Sequence, residues 1–245
     1  MKHLERTDFG GELILLLDYD GTLTPIKRKP ELAILSDELR RILKKLSHAY
    51  DMAIVSGRSV VELMSLVDIP GIWYAGNHGF EIVRGEKRWT EPRAAAFKLK
   101  MNGVAAKLSG LKSIPGVIIE DKGLTLSVHY RCVQTKEVDK VKAAFGEAIE
   151  GEEIRITEGK KVLEVRPPFD WDKGKAVEWI LKEMGWDHER VVYLGDDRTD
   201  EDAFCTVNKL HGISVIVSDK PSNTCASHFL KGPKEVERIL VSLLQ

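Results

Sequence analysis

The sequence predicts an α/β fold: a parallel, doubly wound sheet with a smaller α+β module inserted into it. Three observations carry this expectation. Short aliphatic runs closed by polar or glycine-rich residues recur at both ends of the chain, and amphipathic stripes at helical spacing lie between them. In the middle of the chain the rhythm changes to strand pairs separated by tight turns, which is hairpin chemistry.

The first run, Leu13-Ile14-Leu15-Leu16-Leu17, is followed directly by Asp18-Tyr19-Asp20-Gly21-Thr22-Leu23. Five aliphatic residues ended by an acid and a glycine turn predict a strand buried on both faces. Segments 52–55, 191–194 and 213–217 repeat the pattern, and 72–75 precedes Gly76-Asn77-His78-Gly79. Between them, 36–48 places Leu39, Ile42, Leu43 and Leu46 on one stripe behind the capping residue Ser36, and 172–184 does the same with Ala176, Val177, Ile180 and Leu181.

Strands are expected at 80–83, 117–120, 124–130, 153–157 and 162–165, with turns at Asp121-Lys122-Gly123 and Gly159-Lys160 and helices near 92–111 and 135–149. The expected division is a core of residues 1–83 and 169–245 with an inserted unit at 84–168.

At 245 residues the chain can bury a sizeable core without staples. Its 37 Lys and Arg balance 38 Asp and Glu, which argues against a nucleic-acid surface. Cys132, Cys205 and Cys225 are odd in number and scattered, so neither a disulfide framework nor a zinc site is expected. The stretch Met1 to Gly11 has no apolar h-region, and no segment is apolar enough for a membrane span. A monomeric, cytoplasmic protein acting on a small molecule is the expectation.

Carboxyl ends of strands in open α/β sheets are where ligands bind, and Asp18 and Asp20 stand at such an end. Two like charges about 4 Å apart cost each other roughly 4 kcal/mol at an effective dielectric near 20, so the pair implies a cation. Oxygen-only ligands favour magnesium over zinc. A second acidic group, Gly195-Asp196-Asp197-Arg198-Thr199-Asp200-Glu201-Asp202, follows another buried strand. It lacks the ligand spacing of a calcium loop, and with Asp18 and Asp20 it could share one magnesium. Ser56-Gly57-Arg58 ends the second strand, where a hydroxyl and backbone N–H groups can meet an anion. Lys173 stands in the first turn of a helix capped by Asp172, where the dipole disfavours a cation unless an anion is bound.

Together these four groups resemble the motifs of the haloacid dehalogenase-like (HAD) superfamily of phosphotransferases. The resemblance implies that Asp18 is a nucleophile forming an aspartyl phosphate and that Asp20 protonates the leaving alcohol and then activates water. Ser56 and Lys173 would hold phosphoryl oxygens. The Asp18 carboxylate, the Asp20 carbonyl and Asp196 would bind magnesium, with Asp197 or Asp200 orienting its waters. The core is then a HAD-like Rossmannoid sheet and the insert a cap.

Longer strings are more specific. Gly76-Asn77-His78-Gly79-Phe80-Glu81, Glu120-Asp121-Lys122-Gly123, His129-Tyr130-Arg131, Glu164-Val165-Arg166-Pro167 and Gly195 to Glu201 with Thr199 resemble the trehalose-6-phosphate phosphatase family. That likeness implies a magnesium-dependent phosphatase releasing trehalose at the end of its biosynthesis, its cap closing over the disaccharide phosphate. Glu120, Lys122 and Glu164 would bond sugar hydroxyls. Gly57, Arg58, Asn77, His78, His129, Arg131 and Arg166 complete the expected substrate contacts. For His78 and His129 a structural role stays open, as it does for Arg166 at the module junction. The alternatives are a phosphatase or phosphomutase of the same fold acting on another sugar phosphate, and a signalling receiver, which needs neither Asp20 nor a large insert.

Overall fold

The computed structural model describes residues 1–9, 13–186, 190–221 and 223–245. It divides into two compact units, residues 1–89 with 171–245, and residues 90–170.

In the larger unit the strands are β1 (Lys2–His3), β2 (Leu13–Leu17), β3 (Asp51–Val55), β4 (Trp73–Gly76), β5 (Glu81–Arg84) and β6 (Lys87–Thr90), later joined by β11 (Arg190–Gly195), β12 (Ile213–Val217) and β13 (His228–Leu230). The helices are α1 (Asp37–Leu46), α2 (Val60–Val67), α5 (Lys173–Met184), α6 (Glu201–Lys209) and α7 (Pro233–Ser242). The smaller unit holds α3 (Pro92–Leu108), β7 (Ile118–Asp121), β8 (Leu126–His129), α4 (Val138–Ala148), β9 (Arg155–Gly159) and β10 (Val162–Arg166).

The nine-stranded sheet runs β1-β13-β12-β11-β2-β3-β4-β5-β6. Pairing is parallel from β1 through β4, and β5 turns back antiparallel on β4. β2 lies between β11 and β3, and alternation along it explains its unbroken apolar run: Leu13, Leu15 and Leu17 pack with α1, α2 and α7 on one face, while Ile14 and Leu16 pack with α5 and α6 on the other. Doubly wound layering is therefore what makes each central strand apolar throughout. Ser36 caps α1 by accepting from the Leu39 N–H at 3.1 Å, and Asp172 caps α5 by accepting from Lys175 N–H at 2.9 Å.

The smaller unit is an antiparallel sheet, β7-β8-β10-β9. One face, with Leu126, Val128, Leu163 and Val165, packs on α3 and α4 residues such as Met101, Val104, Leu108, Val141 and Phe145. The β9–β10 hairpin turns on Lys160 and Lys161 rather than on Gly159 and Lys160: Gly159 pairs with Val162, and the chain reverses with a positive φ of 63° at Lys161.

Residues 84–89, expected in the insert, lie in the larger unit because β6 closes the nine-stranded sheet; residues 169–170 lie in the smaller one. Trp89 and Trp171, the residues on either side of the smaller unit, stack with ring centroids 5.0 Å apart, and Trp89 stacks on Trp179 at 4.9 Å. Both chain crossings thus leave from one aromatic cluster inside the larger unit. Among the described residues, no helix is long and apolar enough to cross a membrane.

Candidate active site

β2 and β11 end side by side, and their acids converge. The Asp18 N–H continues the ladder by donating to the Leu194 carbonyl at 2.9 Å, which fixes the Asp18 side chain at the mouth of the central strands. Asp18, Asp196 and Asp200 bring carboxylate oxygens to within 4.8 Å of one another. Lys173, the first residue of α5, donates through Nζ to Asp18 Oδ1 at 2.8 Å and to Asp200 Oδ1 at 2.6 Å.

Asp200 accepts from further donors. Its Oδ1 also accepts from Tyr193 Oη at 2.6 Å, and its Oδ2 accepts the N–H groups of Asp196 and Asp197, each at 3.0 Å. Both oxygens are therefore engaged by protein donors, and Asp200 acts as the post that sets Lys173 and the 196–197 backbone. Asp197 is used differently: its Oδ1 accepts the Arg198 N–H at 2.7 Å, starting the turn into α6.

Electrostatics follow from burial. Loss of water, with Asp200 and Asp196 adding to it, pushes the Asp18 carboxyl well above the ordinary carboxylate range against the pull of Lys173. Burial alone would lower Lys173, but the charges of Asp18 and Asp200 reverse this and hold it raised, so it remains an ammonium. Burial and then Asp200 push the Tyr193 hydroxyl well up, keeping it a donor.

Three buried carboxylates face one ammonium here, an excess of negative charge that suits a divalent cation. At Gly21, where φ is +87°, a Cβ would land on Asp196 Oδ2, so the absence of a side chain there is what lets the Asp196 carboxylate lie against the backbone after Asp20. With oxygen donors only, the residues fit a hard cation.

Ser56 follows β3, buried, its N–H on the Ala75 carbonyl at 2.9 Å and its Oγ accepting the Arg58 N–H at 3.2 Å. Asn77 and His78, expected as substrate contacts, are buried behind this loop. Asn77 N–H donates to the Arg58 carbonyl at 2.6 Å and His78 N–H to the Ser56 carbonyl at 2.9 Å, both residues adopting positive φ. The His78 ring packs so closely on Gly57 that a Cβ there would meet it. These two residues brace the loop.

Arg58 was likewise expected to meet substrate, and it is only 4 % exposed. It clasps Asp20 through Nε to Oδ2 at 2.6 Å and Nη2 to Oδ1 at 2.8 Å, bonds Glu62 and the Pro30 carbonyl, and lies over the Tyr19 ring. Burial against four internal partners explains why it faces inward.

In the smaller unit the sheet face opposite its core is polar. His129 Nε2 and Glu120 Oε2 are 3.0 Å apart, Lys122 Nζ lies 2.8 Å from Ser127 Oγ, and Arg166 Nη2 donates to Glu164 Oε2 at 2.5 Å. Arg131 donates to the Lys160 carbonyl at the rim. Sequence reasoning missed Tyr193 and Ser127; a lone phenol in Val191-Val192-Tyr193-Leu194 and a hydroxyl two residues before His129 were the available signals.

A parallel sheet with acids converging at the ends of its central strands and a lysine at the head of the following helix is the arrangement of the haloacid dehalogenase-like class. In fold the chain is similar to a haloacid dehalogenase-like hydrolase from Bacteroides thetaiotaomicron, with a TM-score of 0.66 at 16% identity over 96% of this chain and 99% of that one. The similarity to the Candida albicans trehalose-6-phosphate phosphatase C-terminal domain is greater, with a TM-score of 0.82 at 24% identity over 98% and 96% of the two chains. The family model of the trehalose-phosphatases matches residues 16–234. A probable trehalose-phosphate phosphatase D of Arabidopsis thaliana is 38% identical over 251 residues, covering 96% of this chain and 68% of the relative. The chain belongs to the trehalose-phosphatase family, and it is a phosphatase.

Proposed function

We propose that the protein hydrolyses trehalose 6-phosphate to trehalose and inorganic phosphate in a magnesium-dependent reaction through an aspartyl phosphate on Asp18. The observation that carries the mechanism is Asp18 at the end of the central strand, with Lys173 Nζ 2.8 Å from its Oδ1 and Asp196 and Asp200 beside it. Membership of the family supports the substrate.

Lys173 holds Oδ1, which orients the second carboxylate oxygen of Asp18 to attack phosphorus. The P–O bond to the sugar breaks as the P–O bond to Asp18 forms, and Asp20 gives the departing alkoxide its proton. Asp20 then takes a proton from water, whose oxygen attacks phosphorus and frees Asp18. Ser56 Oγ and the Lys173 ammonium hold the transferring oxygens. Asp18, Asp196 and the Asp20 carbonyl would hold magnesium, which supplies charge compensation at phosphorus.

Sugar recognition is assigned to the polar sheet face of the smaller unit, where Glu120, Lys122 and Glu164 present charged groups suited to paired hydroxyls. Phosphate release from a panel of sugar phosphates, with and without magnesium, tests the proposal. Trehalose 6-phosphate is expected to be turned over best and only with the metal, and Asp18→Asn to be inactive. Faster turnover of glucose 6-phosphate would sink the substrate, and an active Asp18→Asn the mechanism.

A further inference from the structure

Tyr193 lies fully buried in β11, and the mechanism gives its hydroxyl no task. Its ring meets Phe204 of α6 edge-on with centroids 5.7 Å apart, and its Oη donates to Asp200 Oδ1 at 2.6 Å. A buried tyrosine hydroxyl usually finds a partner. Here the partner is the carboxylate that also holds Lys173.

Four donors meet Asp200. Lys173 Nζ and Tyr193 Oη reach Oδ1, each at 2.6 Å, while the N–H groups of Asp196 and Asp197 reach Oδ2, each at 3.0 Å. An ionised carboxylate offers about four lone-pair sites, so two donors on each oxygen fill it. The backbone closes on it as well, because a Cβ at Gly195 would collide with Asp200 Cγ. Oδ1 is thus the junction of a continuous chain: Tyr193 Oη and Lys173 Nζ both donate to it, and Lys173 Nζ donates again to Asp18 Oδ1 at 2.8 Å. Two donors on one oxygen share its negative charge. The phenol therefore moderates the pull of Asp200 on the ammonium and leaves more of that charge to Asp18.

We propose that Tyr193 is a positioning residue for phosphoryl transfer: its hydroxyl occupies Asp200 Oδ1 beside Lys173, fixes where the ammonium stands between the two aspartates, and so keeps it on the Asp18 carboxylate. The inference rests on Asp18 as the nucleophile, and Tyr193 itself touches no reacting atom. Without the hydroxyl, Lys173 is drawn further onto Asp200 and its bond to Asp18 slackens.

The test measures kcat and KM of Tyr193→Phe on trehalose 6-phosphate and on 4-nitrophenyl phosphate, which carries no sugar, with Phe204→Leu as a control for packing and Asp18→Asn as a control for the mechanism. Tyr193→Phe keeps the ring and loses only the hydroxyl. Its kcat is expected to fall about tenfold on both substrates with each KM within about twofold, because the loss lies at the centre common to both. Phe204→Leu loosens the ring but keeps the hydroxyl, and is expected to lower the melting temperature by a few degrees with kcat within about twofold of the parent. Should Tyr193→Phe not fold, Tyr193→Met, also without a hydroxyl, takes its place with the same expectation. A kcat within about twofold of the parent in a folded hydroxyl-free variant, or a rise in KM at constant kcat, overturns the role of Tyr193. So does an equal fall in kcat in Phe204→Leu, which would assign the effect to packing. An active Asp18→Asn overturns the mechanism on which the inference rests; an inactive Asp18→Asn beside an unchanged kcat in Tyr193→Phe overturns the inference alone.

Discussion

The Arg58 guanidinium clasps the Asp20 carboxylate through two parallel N–H···O contacts of 2.6 and 2.8 Å, although the residues are 38 positions apart in the chain. Such fork-to-fork pairing fixes both the position and the plane of a carboxylate. It uses two of the roughly four lone-pair sites on Asp20 and leaves the others for proton exchange. Arg58 is anchored in turn by Glu62 of α2 and by the Pro30 carbonyl, so the loop after β3, the segment after β2 and the assigned proton donor move as one.

Arg58→Lys keeps the charge but cannot reproduce the planar fork. Misplacing a proton donor by a fraction of an ångström impairs chemistry more than binding, so kcat on trehalose 6-phosphate is expected to fall about 10- to 100-fold with KM little changed. Steady-state kinetics decide the point. A rise in KM at constant kcat would mean instead that Arg58 touches substrate.

Lys173 Nζ pairs with both Asp18 and Asp200, at 2.8 and 2.6 Å. Removing one partner of a buried ion pair leaves charge without compensation and costs about 3–5 kcal/mol. Lys173→Met is therefore expected to lose activity and to lower the unfolding free energy by about 3 kcal/mol or more in urea. Adding Asp200→Asn should recover part of the stability and none of the turnover. A stability change in Lys173→Met within about 0.5 kcal/mol of zero would show that the pair contributes nothing to folding.

Gly21 tests the cation site from the backbone side. A methyl group at this position would land on Asp196 Oδ2, and its φ of +87° is costly for any other residue. Gly21→Ala is expected to displace Asp196, to abolish turnover in magnesium and to lack the rise in melting temperature expected of the parent protein on adding magnesium. An undiminished magnesium shift in Gly21→Ala would take Asp196 out of the ligand set.

Much of this arrangement is legible in the sequence, and the boundary of legibility is physical. Asp18, Lys173 and Asp196 stand at the ends of strongly patterned elements, so period and capping chemistry locate them. The helix α7, with Val236 and Leu240 buried, is not among the elements expected from the sequence. What alternation and spacing cannot give is the partner of a long side chain: Arg58 could turn out to substrate or in to Asp20, and only packing over Tyr19 decides. Asn77 and His78 depend on two consecutive positive φ angles, which residue type does not announce. Tyr193 gains meaning only from the turn that brings Asp200, seven residues on, back to its hydroxyl.

The edge of the large sheet predicts a response to acid. β1 adds to β13 by pairing Lys2 with His228 and His3 with Phe229. Asp8 faces His228 with Oδ2 3.9 Å from Nε2, and Ser227 with Oγ 2.8 Å from Nδ1; Lys2 and the Met1 ammonium lie close enough to act through their charges. Burial holds the His228 imidazole below its ordinary value of 6.5, Asp8 opposing and Lys2 assisting. As pH falls through 6.5 the unfolded chain therefore takes up a proton that the folded chain refuses, and stability declines until the folded pKa is passed. Asp8 adds a second loss at lower pH: its hydrogen bond with Lys2 holds the carboxyl below 3.8, a stabilisation present above that value and lost below it. Urea unfolding between about pH 7 and 5 should show the first decline, and His228→Gln, which cannot titrate, should flatten it while leaving the Asp8 step in place. A parent and a variant with superimposable profiles over that range would remove His228 from the account.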